Sequence, residues 1–390
     1  MAAPVSRQQA LAQAQQQNLA ARQFVLANAL DSWNVTNNNT YTGGAGQTIQ
    51  FPLKNVGLQK RVVLEVKATV TSAAGIQTLT PLGGSAFFSN ITLTDLNNQV
   101  RINTTSWHLT MVASAKRRNP YGSAIKAASL DSPFGYGANY TSTQSAPATI
   151  NGAQNANNVF LMFELPLAYS DNDLRGALYT NVVGATYNLS MTVNPNLCVT
   201  STADPTLSMY QASGATAATL SSVTIIVNQN YLDQIPQGQG GPILPMLDLA
   251  TAYLFNQSQL GGLVVNSQNP LSYPNSRAIL STSLVYVDNQ TLQQGKVTNF
   301  QLQSANFTSY KTFDEPLLSL WTRLRLQDDT PAGTYYIDHR DRPIQTIQFG
   351  NVQLMIQPAT VTNSSSNFQY ALEMLAIINQ VTNAGSLQGT

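Results

Sequence analysis

The stretch TYNLSMTVNP, at residues 186–195, decides the fold class of this chain. Its apolar side chains alternate with polar ones, Tyr187, Leu189, Met191 and Val193 against Asn188, Ser190, Thr192 and Asn194. A period of two places one set on the buried face of a sheet and the other set in water. The stretch therefore predicts a β-strand, which ends at Pro195.

The same alternation recurs along most of the chain. Before residue 233 it is found in LEVKATV (64–70), NITLTDL (90–96) and SVTIIVNQ (222–229). It resumes after the Gly- and Pro-rich hinge DQIPQGQGGPILP (233–245), in AILSTSLVYV (278–287), VTNFQLQ (297–303), TRLRLQ (322–327), GTYYI (333–337), IQTIQF (344–349), VQLMIQ (352–357) and FQYALEML (368–375). Many short alternating strands separated by turn residues predict an all-β protein with a sandwich or barrel on each side of the hinge.

We expect three parts in this chain of 390 residues. Residues 1–32 form an N-terminal helical arm, residues 33–240 a first β domain and residues 241–390 a second β domain with a C-terminal arm. The surplus length of the first domain lies between Asn119 and Asn158, in a Ser-, Gly- and Asn-rich segment. Such a long loop in an ordered domain usually serves function or contact.

The arm is the clearest helix candidate. From Ser6 to about Leu30 it is rich in Ala, Gln and Leu and contains neither Gly nor Pro. One side carries the row Leu19, Leu26 and Leu30, and Arg7 and Arg22 are its only charges. Because this stripe is too narrow to bury a helix firmly, we expect an arm that docks on another surface or stays loose until it does.

Composition argues against an ordinary soluble enzyme. Charged residues make up 9% of the chain, against about 25% in an average globular domain, and the formal net charge is +1. A surface with so little charge favours association, as in a protein that packs against copies of itself. A polar secreted domain is the alternative. A single cysteine, Cys198, and an N-terminus without the apolar core of a signal peptide indicate folding in the cytoplasm.

The densest charges lie in YYIDHRDRPIQTIQF, where Asp338, Arg340, Asp341 and Arg342 surround His339. Two predicted strands flank this cluster, and Asp and Pro are ordinary turn residues. We interpret it as a structural turn whose charges neutralise one another or pair with a neighbouring subunit. Farther along, the apolar side chains shift from odd-numbered to even-numbered positions. We therefore expect a bulge or tight turn at Gly350 and Asn351.

Catalytic and ligand-binding patterns are weak. The chain has two histidines, His108 and His339, and no nucleophile elbow, phosphate loop or metalloprotease motif. We predict no catalytic, cofactor-binding or metal-binding residues. Asp171 and Asp173 suit the start of a short helix better than a calcium loop. The basic run from Lys116 to Arg118 favours a solvated loop or subunit contact over specific nucleic-acid binding.

Several segments resemble the major capsid protein of tectiviruses, which are tailless icosahedral bacteriophages with an internal membrane. They are TSWHLTMVASAK (105–116), LAYSDNDLRGAL (167–178), NYLDQIPQGQGGPILPMLDLAT (230–251) and YYIDHRDRPIQTIQFGNV (335–352). LAARQFVLAN and NVGLQ fit the same family, so the resemblance runs from about residue 19 to about residue 385. The basic run and the long loop depart from the family pattern.

The resemblance implies a double jelly roll, in which two eight-stranded β-sandwiches lie side by side behind a helical arm. It implies homotrimeric, pseudo-hexagonal capsomers in the virion shell, with minor capsid and vertex proteins as further partners. The arm residues Arg7, Leu19, Arg22, Leu26 and Leu30 would lie at the inner face, near the viral membrane or a neighbouring capsomer. The alternative function is a jelly-roll spike or lectin that binds a receptor or glycan; an enzyme is the third hypothesis.

Overall fold

A computed structural model describes residues 7–72, 74–117, 149–151, 157–182, 186–289, 291–305, 307–326 and 330–377. Most of the long segment between Asn119 and Asn158, the Arg118 end of the basic run and the C-terminal arm from residue 378 lie outside these residues. The side chain of Arg7 is likewise outside the described part, although its backbone begins the first helix.

In the described part of the chain, thirteen strands precede the hinge, and eight of them build the first sandwich. The helices are α1 (Arg7–Asn28) and α2 (Ser106–Arg117), with a 3₁₀ turn at Gly83–Ala86. The strands are β1 (Leu30–Thr42), β2 (Thr48–Pro52), β3 (Leu58–Thr71), β4 (Ile76–Leu79), β5 (Phe88–Thr94), β6 (Val100–Thr104), β7 (Thr149–Asn151), β8 (Asn157–Pro166), β9 (Leu178–Tyr179), β10 (Asn188–Val193), β11 (Cys198–Val199), β12 (Tyr210–Ala212) and β13 (Thr219–Asp233).

The hinge forms a small hairpin, and the second set of strands follows it. The helices here are α3 (Met246–Leu249), α4 (Glu315–Leu326) and α5 (Thr346–Phe349). The strands are β14 (Gln237–Gly238), β15 (Gly241–Pro242), β16 (Thr251–Leu260), β17 (Asn269–Ser272), β18 (Arg277–Asp288), β19 (Thr291–Leu292), β20 (Val297–Ser304), β21 (Phe307–Asp314), β22 (Thr334–Asp338), β23 (Ile344–Gln345), β24 (Gln353–Pro358) and β25 (Asn367–Ile377).

Both sandwiches have the same strand order. In the first, one sheet runs β1-β13-β3-β8 and the other runs β2-β10-β5-β6. In the second, the corresponding sheets run β16-β25-β18-β22 and β17-β24-β20-β21. Numbered from one to eight within each sandwich, both orders read 1-8-3-6 and 2-7-4-5, which is the jelly roll. The chain is therefore a double jelly roll with a helical N-terminal arm.

Each sandwich buries its own apolar core between its two sheets. The alternation in β3 puts Leu64, Val66 and Ala68 into the first core, where β13 contributes Val223, Ile225 and Val227. A second cluster lies between β18, β25, β20 and β24. The first cluster also includes buried side chains from β16 and β25 of the second sandwich, so the two sandwiches share an apolar junction.

A single strand pair joins the sandwiches into one ten-stranded sheet. The edge strand β6 of the first sandwich runs parallel to the edge strand β16 of the second, with Ile102 opposite Phe255 and Asn103 opposite Asn256. Helix α2 covers this pair from one side and touches both sandwiches. The junction therefore leaves neither β6 nor β16 as a free sheet edge.

The predicted strand at residues 322–327 is wrong, because residues 322–326 belong to helix α4; residue 327 lies outside the described residues. Asp314 accepts a hydrogen bond from the backbone N–H of Leu317 at 2.8 Å and so caps the helix. Leu318, Thr322 and Leu326 are buried at spacings of four residues, a helical period that coincides with the apparent alternation. The sequence Asp-Glu-Pro at 314–316 was the start signal that should have been recognised.

Two further local expectations need correction. The predicted strand at 344–349 continues only to Gln345, and α5 follows it. Gly350 then adopts a φ of +73°, so the change of apolar phase is made by a helical turn together with this glycine. No helix starts at Asp171, since Ser170 and Asp173 form an isolated antiparallel bridge instead.

Strand β1 lies in an Asn- and Thr-rich segment for which the sequence predicted no strand. It pairs with β13 along almost its full length, from Leu30 opposite Asp233 to Thr42 opposite Ser222. Most of its side chains are exposed, so no apolar alternation marks it. The predicted helix consequently ends at Asn28, and Leu30 already lies in this strand.

Candidate assembly surfaces

The two histidines and the cysteine have pKa values shifted away from neutrality, and both histidines are buried. His108 and His339 have 1% and 3% of their surface exposed. Burial lowers the pKa of His108 well below its ordinary value, and burial together with the Lys311 ammonium lowers the pKa of His339 to about 3. Burial raises the pKa of the Cys198 thiol to about 12. Among the described residues, no group of three His, Cys, Asp or Glu side chains could hold a metal ion.

The charged cluster forms the turn after β22, and its members have separate environments. Asp338 accepts the backbone N–H of Arg340 at 2.9 Å and forms ion pairs with the guanidinium groups of Arg340 and Arg325. The Arg340 side chain is 10% exposed and points into the molecule, whereas Asp341 and Arg342 are exposed. The turn thus has an internal half and a half that faces outward.

Arg340 reaches a buried ionic network at the junction of the two sandwiches. Its guanidinium pairs with the carboxylate of Glu373, which has no exposed surface. The Lys116 ammonium lies 3.3 Å from the same carboxylate, and Tyr253 donates its hydroxyl proton to it. Because Lys116 belongs to α2 and Glu373 to β25, the network joins the first sandwich to the second.

Sequence reasoning missed this network. Glu373 stands in the middle of an apolar strand, and Lys116 was assigned to a solvated loop or subunit contact, whereas it lies in helix α2. A carboxylate in a buried strand needs a cationic partner, and that rule marks Glu373 as unusual. Its partners lie 33 residues away at Arg340 and far beyond that at Lys116, so the pairing could not be read from the sequence.

Helix α1 docks on the chain itself through its C-terminal half. The Arg22 guanidinium contacts both oxygens of Asp248, each at 2.6 Å, and the amide of Asn18 donates to the same carboxylate at 2.9 Å. Val25 is fully buried in a small apolar cluster, and Leu26 packs against that cluster. The arm is therefore anchored from Asn18 onward.

The row predicted from the sequence docks only in part. Leu26 packs in this contact, whereas Leu19 is 47% exposed and Leu30 is 53% exposed. Leu11 and Phe24 are also exposed. None of the helices in the described part of the chain is apolar over a length that would cross a bilayer. The N-terminal half of α1 thus presents a mixed surface of leucine and glutamine side chains.

A larger apolar surface lies on α4. Its buried face packs on the second sandwich, but Leu317, Leu320, Trp321 and Leu324 are between 48% and 60% exposed. Trp33 and Val35 on the edge strand β1 are exposed to a similar extent, at 57% and 50%. Clusters of large exposed apolar side chains mark interaction surfaces on folded proteins.

Comparison with known proteins identifies the chain's relatives. A family model described as the N-terminal part of the P3 major capsid protein matches residues 2–235, and one described as its C-terminal part matches residues 250–389. The major capsid protein P3 of Enterobacteria phage PRD1, a tectivirus, is 33% identical over 383 residues, which cover 97% of this chain and 95% of that protein.

Solved structures agree on the fold. The STIV MCP, from Sulfolobus Turreted Icosahedral Virus, superposes with a TM-score of 0.62 at 9% identity, covering 89% of this chain and 97% of that one. The PBCV-1 virus capsid gives a TM-score of 0.52 at 11% identity, with 89% and 95% covered. These comparisons give no support to the receptor- or glycan-binding alternative. The chain belongs to the P3 major capsid protein family of tectiviruses, and it is a structural protein of the virion shell.

Proposed function

We propose that three copies of this chain form a capsomer of pseudo-hexagonal outline that tiles an icosahedral shell around an internal membrane. The observation that carries the proposal is the repeat of one jelly roll within the chain. Three copies then present six similar sandwiches around a threefold axis, and a six-sided unit packs on a hexagonal lattice. Closed cyclic symmetry of this kind is usual for homo-oligomers.

The division into an arm (1–32) and two sandwich domains (33–240 and 241–390) is part of this proposal. It is supported by the hinge hairpin of β14 and β15, which lies between the segments matched by the two family models. The sandwiches would act as one rigid unit, because the ionic network of Glu373 and the β6–β16 pair hold them together.

The work of the protein is association, without catalysis, cofactor or specific nucleic-acid binding. Asp341 and Arg342 on the outer half of the turn are available for contacts with a neighbouring capsomer. The anchored arm would face the viral membrane or a neighbouring capsomer with its N-terminal half, including Arg7, and with the exposed side chain of Leu19. Minor capsid and vertex proteins would contact the shell at positions where capsomers do not pack on six equal neighbours.

The proposed stoichiometry predicts the mass of the purified protein. Sedimentation equilibrium should give three times 42.0 kDa, and the mass should not fall on dilution to micromolar concentration, because obligate interfaces bury upwards of about 2,000 Å². A monomer under these conditions would contradict the homotrimer.

The role of the arm before Asn18 can be tested apart from trimer formation. Deletion of residues 1–17 keeps Asn18, Arg22 and Val25, so the trimer should sediment as before while the yield of closed shells in infected or co-expressing cells falls at least severalfold. Arg22→Met, which breaks the pair with Asp248, should have the same effect by detaching the whole helix. Normal shells from both variants would show that the arm is dispensable.

A further inference from the structure

The internal repeat identifies the surface through which copies associate. We propose that β21 and the exposed face of α4 on one copy dock against the edge strand β1 of a second copy and repeat the junction that joins the two sandwiches within the chain. Strands from two copies would thus form a mixed sheet in the same way as β6 and β16 join the ten-stranded sheet within one copy. This inference rests on the proposed homotrimer and assigns its interface.

The junction within the chain supplies the template. Strand β6 pairs in parallel with β16, and α2 follows β6 directly. From α2, His108 contacts the Ser283 hydroxyl through Nδ1 at 2.6 Å and lies with its ring 6.4 Å from that of Phe255. Lys116 donates to the Tyr253 hydroxyl at 3.1 Å. One face of α2 is thus buried against the second sandwich.

In the second sandwich, β21 and α4 occupy the places of β6 and α2. Both helices have 12 residues. Helix α2 begins two residues after Thr104, which pairs with Ile91 in the middle of β5. Helix α4 likewise begins two residues after Phe313, which pairs with Phe300 in the middle of β20. Counted from the helix start, Leu317, Trp321 and Leu324 correspond to His108, Val112 and Ala115. The α2 residues are at most 3% exposed, whereas their α4 counterparts are 48%, 51% and 60% exposed.

The complementary half lies on the first strand of the first sandwich. Strand β1 corresponds to β16, since each is the first strand of its sandwich and pairs with the last, β13 or β25. On β16, Tyr253 and Phe255 alternate along the face that meets α2 and are 1% and 0% exposed. On β1, Trp33 and Val35 alternate in the same way but are 57% and 50% exposed.

One contact between two copies would cover the unpaired edges of both β1 and β21. Within the described residues, β1 and β21 each pair on one side only, and unpaired edges invite strand addition. The two apolar surfaces lie on different sandwiches, so a second copy must supply the partner surface through a head-to-tail contact. Such contacts form rings when the rotation closes, which is the arrangement of a cyclic trimer.

A cysteine pair tests the contact with little disturbance. In a Cys198→Ser background, Thr312→Cys on β21 is combined in turn with Trp33→Cys, Asn34→Cys or Val35→Cys on β1. Thr312 corresponds to Asn103, which lies opposite Asn256 in the internal junction. At least one pair should give covalent trimers under mild oxidation, because disulfides form when Cα atoms lie within about 7 Å. Each single-cysteine variant should stay monomeric on denaturing gels.

Charge substitutions provide an independent readout. Trp321→Glu and Trp33→Glu should each convert the trimer to a folded monomer, while Ile347→Glu, at an apolar position 73% exposed outside both surfaces, should leave the trimer intact. Trimers that persist in both tryptophan variants, with no covalent product from any cysteine pair, would overturn this interface and leave the homotrimer standing. A wild-type monomer would refute the homotrimer itself.

Discussion

Replacement of Glu373 by glutamine should destabilise the folded chain by about 3–5 kcal/mol, the usual cost of removing one partner from a buried ion pair. Glu373 has no exposed surface and faces the charges of Arg340 and Lys116. Glutamine keeps the size and a hydrogen-bonding carbonyl but removes the counter-charge that Lys116 and Arg340 share. The free energy of unfolding, measured by urea titration and circular dichroism, should fall accordingly.

The matched control is Asp341→Asn, which removes an exposed carboxylate from the neighbouring turn. An exposed charge contributes little to stability, so this variant should unfold within about 0.5 kcal/mol of the wild type. If Glu373→Gln is as stable as Asp341→Asn, the buried network does not hold the two sandwiches together, and the proposed rigid unit loses its main support.

The same carboxylate makes the junction sensitive to acid. Burial by itself would raise the pKa of Glu373, but the charges of Arg340 and Lys116 outweigh it and lower the pKa from 4.5 to about 2. A lowered folded-state pKa stabilises the protein fully above the unfolded value and progressively less as the pH falls. The wild type should therefore lose stability between pH 4.5 and about 2, and Glu373→Gln should show a flatter profile across this window.

Replacement of Asp95 by alanine should be comparably severe in the first sandwich. Asp95 and Arg101 are 1% and 2% exposed and form an ion pair at 2.6 Å across the β5–β6 turn. The same carboxylate accepts the backbone N–H groups of Asn97 and Gln99 at 2.9 and 3.0 Å. The alanine variant removes the carboxylate that pairs with a buried guanidinium and accepts two backbone N–H groups, so we expect a loss of about 3–5 kcal/mol in urea unfolding.

A double substitution separates charge burial from packing. Asp95→Leu combined with Arg101→Met should recover much of the lost stability, since a buried ion pair can be replaced by apolar side chains at little cost. Asp204→Ala serves as the control, because Asp204 also accepts a backbone N–H, from Thr206 at 2.8 Å, but is exposed. A single Asp95→Ala variant no weaker than Asp204→Ala would contradict the importance of the buried pair.

The fold could be predicted where burial follows a simple period. Strands β3, β10 and β13 bury one face and show alternation, so their existence was predicted from the sequence. Strand β1 could not be recognised, because an edge strand with exposed asparagines is held by its backbone pairing with β13. Helix α4 was mistaken for a strand, since its outer leucines extend the apolar pattern of its buried face.

The assembly surfaces depend on residues that are far apart in the sequence, so no local sequence pattern predicts them. The turn at Asp338 and Arg340 was predicted from the strands that flank it, but the inward direction of Arg340 depends on Glu373 in another strand. Similarly, Trp321 and Trp33 are far apart in the sequence. They are assigned to the two sides of one contact only when the two sandwiches are compared strand by strand. The topology, together with exposure, reveals this correspondence.

Electron microscopy of the purified protein in negative stain would test the central claim most directly. The account predicts particles with threefold symmetry and a six-sided outline, each side formed by one sandwich. Isolated two-lobed particles, or pairs related by a twofold axis, would contradict a shell unit built from three copies of a repeated jelly roll.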